Sequence, residues 1–260
     1  MINLRQDAMT SVQVYLKFAL LLMLFVLSGC QKVGYAQLRS PYSGQRVFAV
    51  APFVNKSGNN YANVYEITDA FRDQLSSTQG LIVLPVDDTL AAMGTLGMDS
   101  LQSVSDAKKL LVAMGRGVDG LIVGHITSYD PYSPPKIGMS LELYLSANRF
   151  TVGAADPGHL TRQATGDQLF VSRLQRQPVS RVSETIDAKH PYWRSQLKRY
   201  AKTRGQDFDP QESHIKYRES IDLYSEFVSF MMSQRLLEHE RIRLEKPSTQ
   251  PNAGKKTNLP

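Results

Sequence analysis

Two aspartates and one histidine have the residue types needed for acid–base chemistry. Asp87 and Asp88 follow Leu81–Val86, a short apolar run that predicts a strand, and carboxylates at strand ends often line the sites of α/β proteins. His125 falls in another predicted strand. In one cleft, these groups could act as acid and base in a hydrolysis. The alternative, which we favour, is a helix N-cap for the aspartates and a hydrogen-bonded structural position for His125.

The sequence predicts no metal site and no cofactor. A single cysteine excludes an internal disulfide and zinc sites built on cysteine pairs. No two histidines are three or four residues apart, the spacing that would bring both to one face of a helix. The five are scattered along the chain: His125, His159, His190, His214 and His239.

A cluster of positive charge lies in the second half of the chain. Residues 160–204 contain ten basic and three acidic side chains. Four of the basic residues lie on one side of a predicted helix at 191–202, away from its apolar side: Arg194, Lys198, Arg199 and Lys202. One interpretation is an anion-binding patch for membrane phosphates, a cell-wall polymer or an acidic protein. The other is a helix face that is simply solvated.

Composition is that of an ordinary globular protein. The chain has 260 residues, of which 42% are hydrophobic and 21% charged, with a net charge of +6. These values exclude collagen-like, coiled-coil and wholly disordered chains. The length suits one large domain or two small ones, and either can bury a core.

The amino terminus has the pattern of an export signal. Phe18–Leu27 is an unbroken run of ten apolar residues, with Arg5 and Lys17 before it. A transmembrane helix needs about 20 apolar residues, so the run is too short to span a membrane and fits the hydrophobic region of a secretory signal. We therefore predict a signal peptide over residues 1–29.

The residues that follow, Leu27-Ser28-Gly29-Cys30, resemble the lipobox of bacterial lipoproteins. In that family the signal is cut before the cysteine, whose sulfur carries a diacylglyceryl group and whose new amino group is acylated. The resemblance implies that Cys30 is the lipid attachment site. Gln31, where an aspartate would favour the inner membrane, implies the outer membrane with the protein facing the periplasm. Nucleic acid is not an expected partner of an exported chain.

The remaining pattern alternates strands and helices. Short apolar runs predict strands at 46–54, 81–86, 118–126 and 137–145. Helical spacing predicts helices at 61–78, 87–98, 104–114, 191–202 and 211–244, and Ser103 with Asp106 resembles a capping box before the third of them. This order predicts an α/β (α+β) fold with a mixed sheet of about four or five strands, packed helices and a long C-terminal helix.

Domain limits follow from the same pattern. We predict a lipidated tether over 30–45 and an α/β core over 46–145, with Phe71 buried in it. Residues 146–245 should form an irregular segment and C-terminal helices packed on the core, and residues 246–260 a disordered tail. Two apolar stripes should dock on one face of the sheet: Tyr217, Ile221, Tyr224, Val228 and Met231, with Trp193, Leu197 and Tyr200 beside them.

Two segments of the predicted core carry a second resemblance. Val47–Phe53, leading into Asn55-Lys56-Ser57, and Val118–Gly124, arriving after a helix that ends at Gly115, are similar to a group of periplasmic proteins that includes LpoB, CsgG and the TolB amino-terminal domain. The resemblance implies a non-catalytic binding or assembly module whose partner is another envelope component. The alternative function is a lipid-anchored cell-wall hydrolase that uses Asp87 or Asp88 with His125.

Overall fold

A computed structural model describes residues 35–115, 117–146, 177–204 and 212–245. The signal peptide, Cys30 and the C-terminal tail predicted above lie outside these residues. The described strands are β1 (Arg46–Val50), β2 (Val54–Asn55), β3 (Leu81–Val83), β4 (Gly120–Asp130), β5 (Lys136–Leu145) and β6 (Ser180–Asp187). The described helices are α1 (Val64–Ser76), α2 (Val86–Thr95), α3 (Val104–Ala113), α4 (Pro191–Arg204), α5 (Ser213–Glu219) and α6 (Ile221–Glu245).

The strands form one mixed sheet in the order β3-β1-β4-β5-β6, and the two-residue β2 also pairs with β4. β1 pairs in parallel with β3 and β4, whereas β4, β5 and β6 form an antiparallel series. The helices that link the parallel strands cover the faces of the sheet, as crossover connections require. The predicted α/β class and mixed sheet are confirmed. The sheet extends beyond residue 145, because β6 is part of it.

The larger hydrophobic core lies between one face of the sheet and α1, α4, α5 and α6. Phe71 of α1 is fully buried there, as predicted, with its ring centroid 5.4 Å from that of Phe53. A Cβ atom added to Gly124 of β4 would lie 2.3 Å from the Phe53 ring. Gly124, one of the residues of the second resemblance, therefore leaves the space that the Phe53 ring occupies.

The predicted helix at 211–244 is two helices. Ser220, with an extended backbone (φ −99°, ψ 122°), separates α5 from α6. The predicted docking is confirmed, because both apolar stripes belong to the larger core. Tyr224 is fully buried, and its hydroxyl donates a 3.0 Å hydrogen bond to the Ile186 carbonyl of β6. Ile221, at the start of α6, is only partly buried.

The opposite face of the sheet is covered only in part by the described helices. α2 and α3 pack there on β1 and β4, around Met93, Leu110 and Leu121. Ser103 and Asp106 form the predicted capping box at the start of α3. Across β5 and β6 the same face carries polar side chains instead, including Ser140, Glu142, Arg181 and Ser183.

Residues 35–45 differ from the tether that we expected. Leu38 and Tyr42 are buried, and the Tyr42 hydroxyl hydrogen-bonds to the Glu240 carboxylate of α6. The Ser40 amide donates a 2.9 Å bond to the Gln79 carbonyl beside β3. Its turn residues and its lack of hydrophobic periodicity predicted a segment without contacts to the domain. In the structure, individual residues of this segment contact residues far along the chain. Within the described residues, the predicted tether is therefore wrong for 35–45, which pack on the folded domain.

Candidate anion-binding surface

Helix α4 separates an apolar side from a basic side. Trp193, Leu197, Tyr200 and Ala201 are buried against the sheet and α6. Arg194, Lys198 and Lys202 recur every four residues, so they form one stripe along the helix, and all three are exposed. We call these three residues the basic stripe. Within the described residues, no carboxylate lies within ion-pair distance of the stripe.

Arg199, the fourth residue of the predicted patch, has a different role. Its guanidinium lies over the ring of Tyr35, 4.6 Å from the ring centroid, a cation–π arrangement. Arg199 therefore packs against the first described residue of the chain. The structure places all four predicted residues on α4, with three forming the stripe and one stacked beside it.

Tyr35 makes two further contacts with α4 and one with α6. Its amide donates a 3.1 Å hydrogen bond to Thr203 Oγ1 and its hydroxyl donates to Gln196 Oε1, both on α4, while its ring lies 4.9 Å from that of Phe230 on α6 in an edge-on arrangement. Burial raises the pKa of Tyr35, although Arg199 acts in the opposite direction, so the phenol stays protonated as a donor. Sequence reasoning missed Tyr35, since an isolated aromatic residue among turn residues carries no periodic signal.

A groove of about 280 Å³ runs beside the stripe, between α4 and α6. Tyr35, Tyr192, Gln196 and Arg199 line one side, and Arg235 and Glu238 are among the residues on the other. Glu238 is paired with Arg241 at 2.5 Å, and Arg235 Nε lies 3.3 Å from a Glu184 oxygen. Two guanidiniums and an amide thus face a concave surface, which suits an oxygen-rich anion.

The structure does not bring the predicted acid–base groups together. Asp87 and Asp88 are exposed in the first turn of α2, and the N-cap is Pro85, two residues before Asp87, so the N-cap role expected for the aspartates is wrong. In that position their negative charges interact favourably with the positive end of the helix dipole. Burial lowers the pKa of the half-buried His125, and the charged groups that act on it are Lys56, Glu142 and Arg181. Neither aspartate is among them.

A second, acidic groove of about 430 Å³ separates α1 from the start of α6. Its carboxylates include Asp69, Asp73, Asp222 and Glu226. Burial and the neighbouring carboxylates raise the pKa values of Asp69 and Glu226. The sequence did not reveal this groove, because its two walls are about 150 residues apart in the chain. Among the described residues, no group of three or more potential ligands has the geometry to hold a metal ion.

None of the helices in the described ranges combines the length and the apolar character needed to cross a membrane. Helix α4, which carries the basic stripe, is 14 residues long, and charged and polar side chains occupy its outer side.

Comparison with known proteins gives structural likenesses only. Neither protein-family models nor curated proteins match the sequence. The chain is similar to the LpoB C-terminal domain from Salmonella enterica, with 14% identity, a TM-score of 0.38, and coverage of 56% of this chain and 84% of that one. The chain is similar to lipoprotein GNA1162 from Neisseria meningitidis with 13% identity, a TM-score of 0.34, and coverage of 56% of this chain and 85% of that one. It is similar to the hypothetical protein CT253 from Chlamydia trachomatis with 12% identity, a TM-score of 0.33, and coverage of 76% of this chain and 94% of that one.

The LpoB part of the resemblance predicted from the sequence has a counterpart among these structures. The lipobox, CsgG and TolB parts stay predictions. TM-scores between 0.33 and 0.38 do not establish a common fold or a shared activity. Any functional conclusion therefore rests on the residues of this chain.

Proposed function

We propose that this chain is a lipid-anchored, periplasm-facing lipoprotein that acts as a non-catalytic binding or assembly module of the bacterial envelope. The observation that carries the proposal is the basic stripe, an exposed row of cations on a helix whose other side is packed into the core. A positive surface of this kind attracts anionic partners. The groups suggested for hydrolysis lie on different elements and do not act on one another.

The anchor in this proposal is Cys30, and its support is the sequence alone. The lipobox resemblance supplies the attachment residue, and Gln31 favours the outer membrane. One acyl chain binds a membrane only marginally, whereas several chains give a stable anchor at about 0.8 kcal/mol per buried CH₂. The acylation pattern of bacterial lipoproteins meets that requirement.

The first experiment tests the anchor. Cys30→Ala removes the only thiol of the chain, so the variant should stay unprocessed or leave the membrane fraction. Ser28→Ala is the matched control, because it keeps a small residue before the cysteine and should be processed normally. Fractionation and mass spectrometry of the mature amino terminus measure both outcomes. A Cys30→Ala protein that is processed and membrane-bound like the wild type would contradict the lipoprotein assignment.

The second experiment tests binding against catalysis. The wild-type protein, incubated with purified cell-wall material, should release no soluble fragments, while cross-linking in whole envelopes should capture an envelope component. Fragment release that disappears in His125→Gln would instead support the hydrolase. Release that survives His125→Gln would contradict the hydrolase that uses His125.

A further inference from the structure

Tyr35, the first described residue, contacts the helix that carries the basic stripe, on another side of that helix, because neighbours in sequence do not share a helix side. Tyr35 is held by Arg199, Gln196 and Thr203, all on α4. These contacts lie one to three residues from Lys198 and Lys202 along the same helix. The chain therefore enters the described domain at a residue that lies against α4.

Covalent geometry limits how far away an anchor at residue 30 can be. Four residues lie between Cys30 and Tyr35, which makes five Cα-to-Cα steps, and an extended chain spans at most about 3.3–3.6 Å per step, or about 17 Å in total. That limit holds for any conformation of the intervening residues. A lipidated Cys30 thus keeps Tyr35, and with it the side of α4 that Tyr35 contacts, no more than about 17 Å from the lipidated residue.

From these observations we infer that the partner of the basic stripe is the phosphate surface of the membrane that carries the lipid anchor. The inference rests on the lipidation of Cys30 in the proposed function, and it adds the partner and the orientation. The domain lies with α4 toward the bilayer, and Arg194, Lys198 and Lys202 face the phospholipid headgroups.

The chemistry of α4 fits this surface better than a site for one small anion. Three cations in a row, spread along a helix, match a plane of many phosphates, because each cation gains from the surface potential independently. Tyr192, at the start of α4, is 44% exposed, and tyrosine favours the membrane–water interface, where its ring and its hydroxyl find different environments. The lipid and the stripe together provide the two signals needed for stable attachment.

The chain contains its own probe for this orientation. Trp193 is the only tryptophan, and it lies in α4 beside Arg194. Energy transfer from Trp193 to dansyl-labelled lipid headgroups therefore measures how close α4 is to the membrane. The experiment uses the full lipidated protein, reconstituted in vesicles of phosphatidylethanolamine with phosphatidylglycerol and, separately, of phosphatidylcholine alone.

Transfer should be higher on the anionic vesicles than on the neutral ones. In the triple variant Arg194→Gln, Lys198→Gln, Lys202→Gln, transfer on anionic vesicles should fall to the neutral-vesicle level, and added salt should have the same effect on the wild type. The matched control is Lys56→Gln, Lys108→Gln, Lys109→Gln, which removes the same charge from other elements. The control should keep the wild-type transfer, and both variants should keep the thermal unfolding midpoint.

Flotation of the vesicles separates failure of this inference from failure of the anchor. If the wild type does not float with the vesicles, the proposed lipoprotein function fails and the inference falls with it. If all proteins float but the triple variant transfers energy like the control, the anchor stands and the orientation is overturned. An acidic protein or a cell-wall polymer would then be the partner, identified by cross-links that the triple variant loses.

A longer connection distinguishes attraction from simple proximity. A Gly/Ser insertion after Gly34 lengthens the reach beyond the limit given above. On anionic vesicles the insertion variant should keep its high transfer, because the stripe holds α4 at the surface, whereas combining the insertion with the triple substitution should abolish it. Equal loss with and without the stripe would show that the short connection alone accounts for the proximity.

Discussion

The two faces of the sheet are built differently. On one face, α1, α4, α5 and α6 bury a continuous aromatic core. On the other face, α2 and α3 cover the parallel strands, while the antiparallel strands present Ser140, Glu142, Arg181 and Ser183. Parallel strands are usually buried on both faces and antiparallel strands on one, so a single sheet follows both rules in its two halves.

The difference indicates where tolerance to substitution lies. In β5, Ile137, Met139, Leu141 and Leu143 are fully buried, and the residues between them point to the other face. Adjacent residues of this strand thus alternate between the buried core, which requires apolar side chains, and a face that accepts polar ones. The first face should determine stability. The part of the second face that carries Ser140, Glu142, Arg181 and Ser183, which the described helices leave uncovered and which we call the open half of the second face, should be nearly neutral.

The largest expected effect is in the aromatic core. Phe71→Ala should lower the free energy of unfolding by about 3–5 kcal/mol, as truncations of buried aromatic residues do. Tyr65→Ala, in the same helix but 56% exposed, is the control and should change stability by less than about 0.5 kcal/mol. Chemical denaturation measures both. Equal effects would show that α1 does not bury the side we describe.

A single added methyl group should also separate the faces. Gly124→Ala places a Cβ 2.3 Å from the Phe53 ring, and overpacking of this kind costs about 1–3 kcal/mol. Ser140→Thr adds a methyl group on the open half of the second face and should be nearly neutral. Thermal melts of the two variants give the comparison. A Gly124→Ala protein with the wild-type melting temperature would mean that the Phe53 ring can move away without loss of stability.

The buried carboxylate of Glu240 should make stability depend on pH. Burial alone would raise its pKa, but hydrogen bonds from Arg243, Ser180 and Tyr42 together lower it. A lowered pKa means that the contribution is complete above the unfolded value of about 4.3 and is lost as pH falls through the folded pKa.

Glu240→Gln tests this dependence. At neutral pH the variant should be less stable by about 1–3 kcal/mol, because it leaves charged and polar partners poorly satisfied. The difference from wild type should shrink as pH falls below about 4.3. Urea unfolding across pH measures the slope. A difference that stays constant with pH would contradict an ionised Glu240.

The ion pair on the open half of the second face should contribute least. Arg181 Nη2 lies 2.6 Å from Glu142 Oε1, with the glutamate side chain 15% exposed and the arginine side chain 60% exposed, so solvent screens the pair from the arginine side. Exposed pairs contribute about 0.2–1 kcal/mol in double-mutant cycles. The cycle of Arg181→Gln and Glu142→Gln should fall in that range and shrink with salt. A coupling as large as the Glu240 effect would mean that this half is covered in solution.

The features that could be predicted from the sequence are those that leave a hydrophobic period or a local motif in it. The strand regions at 46–54, 81–86, 118–126 and 137–145, the capping box at Ser103, the burial of Phe71 and the docking of α6 all leave repeated or local patterns in the chain. β6 was missed, because it lies in the segment whose pattern predicted irregular structure. Single long-range contacts leave none, which is why Tyr35 and Tyr42 were assigned to a free tether. The break at Ser220 was missed for a related reason, because the apolar stripe continues through it.

The contact between Tyr42 and Glu240 also sets an order of folding. The two residues are 198 positions apart, so the amino-terminal segment cannot complete its packing until nearly the whole chain is available. Contacts of such separation form late, since a long loop must close before they stabilise anything. For a chain that is synthesised amino terminus first, the segment around Tyr42 is therefore among the first to be made and among the last to complete its packing.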